Sequence, residues 1–172
     1  ETDPQRAQTM LNEVIVALNE GNDETRRALR DLRASPLDDM GLVLAVRHLA
    51  ESAAQRGSFS LDLQTPTRDI RLSPNIEQAI YRIAQESIAN VVEHSEASHF
   101  SVVMDIHNTV FKLTIRDNGT GFVRDTIDPQ NGDGHFGLLG MQERASMING
   151  KLIIDSKERL GTSVSLTLET VQ

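Results

Sequence analysis

The sequence contains no cysteine. That excludes disulfides, thiolate chemistry and Cys-ligated zinc, and it suits a reducing cytoplasm. It is also short of positive charge: Lys and Arg number 17 against 25 Asp and Glu, for a formal net charge of -8. Nucleic-acid phosphates are held by clustered basic side chains, so no nucleic-acid partner is expected. No apolar run approaches the roughly 18 residues that read as a membrane span, and no signal peptide opens the chain. Direct membrane contact is therefore not expected of this piece, which leaves open that it belongs to the cytosolic part of a larger membrane receptor. Internal repeats are missing as well. So is a P-loop, because Gly150-Lys151 runs straight into Leu152 without the preceding glycine spacing. What remains is 172 residues, 38% of them hydrophobic. That is enough for one ordinary domain with a buried core and an appendage.

The stretch around which the chain is organised is Ile115-Arg-Asp-Asn-Gly-Thr-Gly-Phe122. Leu113 and Ile115 alternate with Lys112, Thr114 and Arg116. This is the period-2 pattern of a strand with one buried face, and it delivers Asp117 to the strand's end on the buried side. Gly119 and Gly121 supply backbone freedom and leave no side chain in the way of a ligand. Asp-Asn-Gly is also a common hairpin turn. The octapeptide alone does not choose between a turn and a site.

Residues 5–33 read as one long helix. Leu11, Val14, Leu18, Gly21, Thr25, Ala28 and Leu32 keep a heptad spacing through it, and such a seam calls for a partner helix. Ser35-Pro36 ends it. A second helix, capped by Asp38 or Asp39, carries Leu42, Val46, Leu49 and Ala53 on one face as far as Gly57. A short strand is expected at Phe59 to Leu63. Ser73-Pro74 opens a strong third helix, with serine as cap and proline at the first helical position. Residues 99–107 and 110–117 read as a hairpin around His107-Asn108-Thr109. Residues 122–135 form a long polar loop of the kind that often serves as a lid. A fourth helix over 137–148 ends at Asn149-Gly150, and strands at 151–156 and 162–169 close the chain.

On the third helix, Ile76, Ile80, Ala84, Ser87 and Val91 form the buried face. Glu86, Asn90 and His94 fall on its border, four residues apart and in one row. Glutamate can position or activate a water, asparagine can offer its oxygen to magnesium, and histidine can donate to phosphate. An ordinary polar rim has the same composition. Gly132-Asp-Gly-His-Phe-Gly137 is a literal G-x-G-x-x-G with Asp155 downstream. The dinucleotide reading fails because no buried strand leads into the first glycine. Glycines entering a helix still expose amides that favour an anion.

Together these blocks resemble the ATP-binding domain of sensor histidine kinases, within the superfamily that includes gyrase B, Hsp90 and MutL, and the likeness is greatest to the nitrate-sensor and DesK-like branch. Gln85-Glu-Ser-Ile-Ala-Asn-Val-Val-Glu-His94 resembles the N box, Asp117-Asn-Gly-Thr-Gly121 the G1 box and Gly134 to Arg144 the G2 box. Leu160-Gly-Thr162 resembles the closing glycine-threonine element. Leu29-Arg-Asp-Leu-Arg33 and Leu37 to Leu42 look like the end of that branch's dimerisation helix and its link to the ATP domain.

The resemblance implies an α/β two-layer sandwich of the Bergerat type, preceded by a long dimerisation-type helix. It divides the chain into 1–35 (dimerisation helix), 36–57 (connecting helix) and 58–172 (ATP-binding catalytic domain). It implies that Asp117 accepts the adenine amino group with Thr162 beside it, and that Gly119 and Gly121 form the turn. Asn90, with Glu86, would hold Mg2+ against the phosphates, with Glu86 also a catalytic candidate and His94 nearby. Phe122 to Phe136 would be the lid, and the amides of Gly137, Leu138, Leu139, Gly140 and Met141 would cradle phosphates. ATP and Mg2+ are the implied ligands; a response regulator and a second kinase subunit are the implied partners.

No histidine fits the family's phosphoacceptor position. His48 is followed by Leu49 on an amphipathic helix, His99 and His107 lie near hairpin ends, and His135 lies in the lid. The expectation is a catalytic fragment that delivers the γ-phosphoryl to a histidine outside this chain, and thence to a response regulator. Two alternatives share the fold: a serine kinase of the anti-sigma type, and a non-catalytic ATP-binding interaction module.

Overall fold

A computed structural model describes residues 36–67, 70–123 and 135–169. The long helix expected over 5–33, and residues 124–134 of the expected lid, lie outside the described residues. In chain order the elements are α1 (Pro36–Met40), α2 (Leu42–Gly57), β1 (Ser60–Gln64), α3 (Pro74–His94), β2 (His99–His107), β3 (Val110–Asp117), α4 (His135–Met147), β4 (Lys151–Lys157) and β5 (Gly161–Glu169).

The five strands form one mixed sheet in the order β1-β2-β3-β5-β4. β1 runs parallel to β2, and the remaining pairs are antiparallel. The hairpin expected at 99–107 and 110–117 is present with those bounds. Its register sets Phe100 opposite Asp117 and Met104 opposite Leu113. Period-2 burial turns Phe100, Val102, Met104, Phe111, Leu113 and Ile115 to one face. There they meet Ile80, Ile83, Ala84, Ile88 and Val91 of α3 in a single cluster. Fully buried Phe100 and Phe111 each contribute about 1.5–3 kcal/mol by removal from water. The same cluster includes Leu42, Val46, Ala50 and Ala53 of α2. The layered arrangement of helices on one face of a mixed sheet is the expected sandwich.

Several local expectations shift. The second helix is divided: Gly41, at φ 76°, separates α1 from α2 and takes the cap position, with no side-chain cap bond. Asp39 is exposed and does not cap α2. Ser73 does precede α3 with Pro74 at its first position, but its backbone carbonyl rather than its hydroxyl accepts the first amides, those of Ile76 and Glu77. Helix α4 starts two residues earlier than expected, while the left-handed backbone after it falls on Asn149, within the expected Asn149-Gly150 pair. His99 belongs to β2 and is half-buried, with Nδ1 2.8 Å from Ser60 Oγ and Nε2 3.6 Å from Asp62 Oδ2. On α3, burial pushes the Tyr81 phenol above its usual range, partly offset by the neighbouring Arg82 charge.

Candidate functional site

The alternation that turns Phe111, Leu113 and Ile115 inward carries Asp117 inward too, leaving it only 5% exposed. A buried carboxylate needs hydrogen-bond donors. Gly119 supplies one, its N–H donating to Asp117 Oδ1 at 2.8 Å. Among the described residues that is the hydrogen bond found for this carboxylate, and none is made by Oδ2.

The turn is held on three sides. Asn118 Oδ1 accepts from the backbone N–H groups of Ser98 and His99, both at 3.0 Å, and Asn118 Nδ2 donates to Ser98 Oγ. The carbonyl of Ser95, just beyond α3, accepts from Thr120 N at 2.7 Å and from Thr120 Oγ1 at 3.2 Å. The third support is Gly161 at the start of β5, whose φ is +79° and whose missing Cβ would stand 2.1 Å from the Asp117 carbonyl oxygen. Only glycine takes that backbone shape and that approach without strain. Thr162 is thereby set down beside Asp117.

These constraints frame a cavity of about 250 Å³ between α3 and the sheet. Asp117, Thr162, Asn90 and His94 bring polar groups to it. Val91, Ile115, Leu138, Val164 and Phe122 make most of the remaining wall, with Ser87, Ser95 and Gly121 completing it. Apolar walls with a few convergent polar groups are the usual make-up of a small-molecule site.

Of the residues singled out in the sequence, Asn90, His94, Asp117, Gly121, Leu138 and Thr162 come together on this cavity. Gly119 is buried behind it and serves by holding Asp117. Glu86 does not line it. Its Oε1 lies where a Cβ on Gly137 would be 2.2 Å away, so Glu86 rests against the first turn of α4. Leu139 is 52% exposed, Met141 is fully buried, and Gly140 faces the Arg144 guanidinium. Successive helical side chains point about 100° apart, so Leu138 and Leu139 cannot both turn a side chain to the cavity.

Three serines escaped the sequence reading as site residues. Ser87 donates to the Ile83 carbonyl and lies 3.3 Å from Met141 Sδ, joining α3 to α4 under the cavity. Ser95 latches α3 to the turn. Ser156 on β4 accepts from Phe122 N at 2.9 Å and lies 2.9 Å from Thr162 Oγ1. For Ser87 and Ser156 a serine at an inward position of a helix or strand was the available signal, for such a hydroxyl must find a partner.

Among the described residues no group of three or more His, Asp or Glu is gathered to hold a metal. Magnesium is commonly bound through one or two protein oxygens together with substrate phosphates. The Asn90 amide oxygen on the cavity wall fits that pattern.

The histidine kinase-, DNA gyrase B-, and HSP90-like ATPase family matches residues 75–172, which include every residue of this cavity. The chain belongs to that family. The signal transduction histidine-protein kinase/phosphatase DegS of Bacillus subtilis is 38% identical over 138 residues, covering 78% of this chain and 35% of its own length. DegS of Brevibacillus brevis is 33% identical over 145 residues, covering 84% of this chain and 36% of the relative. The chain thus spans about a third of the length of these curated relatives. The histidine kinase domain of the Erythrobacter litoralis EL346 blue-light activated histidine kinase superposes with a TM-score of 0.62 at 17% identity. It covers 74% of this chain and 60% of that one, and at that identity it supports the fold. The sandwich is therefore the family's ATP-binding fold, and the chain is homologous to the catalytic region of two-component sensor kinases.

Proposed function

We propose that this chain is the ATP-binding catalytic region of a cytoplasmic sensor histidine kinase, and that the cavity beside Asp117 receives the adenine. The observation that carries this is the buried carboxylate with Oδ2 left open, on a largely apolar cavity whose far wall bears Asn90. A purine ring suits the apolar walls, and an exocyclic amine suits the carboxylate. Asn90, with Glu86 close to the first turn of α4, would hold Mg2+, whose chemistry is to neutralise phosphate charge. Leu138 and the amides at the start of α4 lie toward the phosphates.

Transfer of the γ-phosphoryl to a histidine, and from there to an aspartate of a response regulator, would rest mostly on placement and charge neutralisation. On this reading residues 1–35 belong to the dimerisation region, and a second kinase subunit is the partner. The serine-kinase and interaction-module alternatives draw no support from the relatives described above.

The test is titration with a fluorescent ATP analogue. The parent chain should bind saturably. Asp117→Asn turns part of the acceptor into a donor facing the adenine amine, and should weaken binding by at least about tenfold, roughly 1.4 kcal/mol, with its unfolding midpoint near the parent's. Binding unchanged by that substitution would overturn the assignment.

A further inference from the structure

Ser156 does not line the cavity, yet it touches two residues that do. It sits on the inward side of β4, half-buried. Its Oγ accepts the N–H of Phe122 at 2.9 Å, lies 2.9 Å from Thr162 Oγ1 and 3.3 Å from the Gly161 carbonyl oxygen. A serine hydroxyl has one proton and two acceptor positions. One acceptor position is taken by Phe122. The proton has two candidate acceptors, and Thr162 Oγ1 is the nearer, closer to the usual O–H···O length. If Ser156 donates to Thr162, the proton of Thr162 is released from the pair and can be turned to the cavity, where Thr162 stands beside Asp117.

We propose that Ser156 is a positioning residue for purine selectivity: by donating to Thr162 Oγ1 it fixes the Thr162 hydroxyl as a donor toward the cavity, next to the acceptor Asp117. An acceptor beside a donor complements the adenine edge, which offers an amino group and an unprotonated ring nitrogen. A 6-oxopurine reverses both groups, with a carbonyl and a ring N–H. Asp117 disfavours the carbonyl by itself. Thr162 alone would not disfavour the ring N–H, because a free hydroxyl rotates to accept as readily as to donate. Ser156 removes that freedom, and through Phe122 N it also anchors a second residue of the cavity wall. The inference rests on the proposed nucleotide reading of the same cavity and adds the residue that sets its choice of base.

The experiment compares the affinities of ATP and inosine triphosphate for the parent chain, Ser156→Ala, Ser156→Thr, Thr162→Val and the double variant Ser156→Ala with Thr162→Val. The parent should prefer ATP. Ser156→Ala should lower the ATP-to-inosine-triphosphate ratio about five- to tenfold, chiefly by improving the binding of inosine triphosphate. Ser156→Thr, which keeps the hydroxyl, should retain most of the ratio. Thr162→Val should lower the ratio similarly, and the double variant should add nothing further, as for two residues acting through one bond. A ratio, unlike an affinity, does not move when part of the sample is unfolded. Equal weakening of both nucleotides in Ser156→Ala, or additive losses in the double variant, would reduce Ser156 to a structural role and overturn the inference. Absence of saturable binding of either nucleotide by the parent would overturn the nucleotide reading itself.

Discussion

Asp117 owes its place to a neighbour it never meets in sequence. Gly161 approaches its carbonyl so closely that a methyl group would need to stand 2.1 Å away, at a φ of +79°. The obstruction is backbone, which cannot swing aside. Gly161→Ala should therefore destabilise the chain by about 2–3 kcal/mol and weaken nucleotide binding with it, because relief of the clash displaces Thr162 from Asp117. Urea unfolding read together with the nucleotide titration checks both. A midpoint like the parent's would show that the loop at 158–161 yields easily. Asn118 illustrates the same scale from the other side: a residue of the G1-like run faces away from the cavity and spends its three side-chain hydrogen bonds on Ser98 and His99. Motif membership does not say which member touches a ligand.

Between elements, α3 and α4 meet through Ser87 over Met141 and through Glu86 against Gly137. The second contact differs in kind from that at Gly161. A Cβ on Gly137 would collide with the far end of a flexible side chain, 2.2 Å from Glu86 Oε1. Glu86 can move. Alanine is also the better helix former, so Gly137→Ala should leave stability unchanged or raise it by up to about 1 kcal/mol while pushing the Glu86 carboxylate off the first turn of α4. If Glu86 assists magnesium, the variant should need several-fold more Mg2+ to reach half-maximal nucleotide binding, measured by titrating the metal at fixed nucleotide. An unchanged magnesium requirement would remove Glu86 from the metal's surroundings. At this scale the sequence was most nearly read where elements are bounded by local chemistry. Ser73-Pro74 marked the start of α3, and the turn at 108–109 marked the hairpin. It misjudged α2, because the break at Gly41 depends on how α1 and α2 dock on the same core.

For the molecule as a whole, the proposed kinase reading requires an acceptor for the phosphoryl group. His48 is exposed on α2, His94 stands at the cavity, His99 is tied to Ser60, and His107 ends β2 at an exposed position. None of these sits on a dimerising hairpin of the kind the family uses for its acceptor. The chain incubated alone with Mg-ATP should bind nucleotide yet accumulate no acid-labile phosphate. Labelling followed by acid treatment and mass spectrometry checks this, and stoichiometric phosphohistidine at any of its five histidines would sink it. No helix among the described residues is long and apolar enough to cross a membrane. The described residues instead build one cluster that runs from α2 through α3 to the sheet.

The residue order by itself determined the parts that repeat over short distances: the alternation of β3 that turns Asp117 inward, the amphipathic row on α3, and the order of boxes that pointed to an ATP-binding fold. Those patterns follow from the fixed periods of strand and helix, and so they are written locally. The tertiary structure alone decided which of residues 137–141 face the cavity, that Glu86 rests on α4, and that Ser156 reaches Thr162 and Phe122. The first two depend on how α4 packs against α3 and the third on β5 lying between β3 and β4, and neither arrangement leaves a periodic trace in the chain.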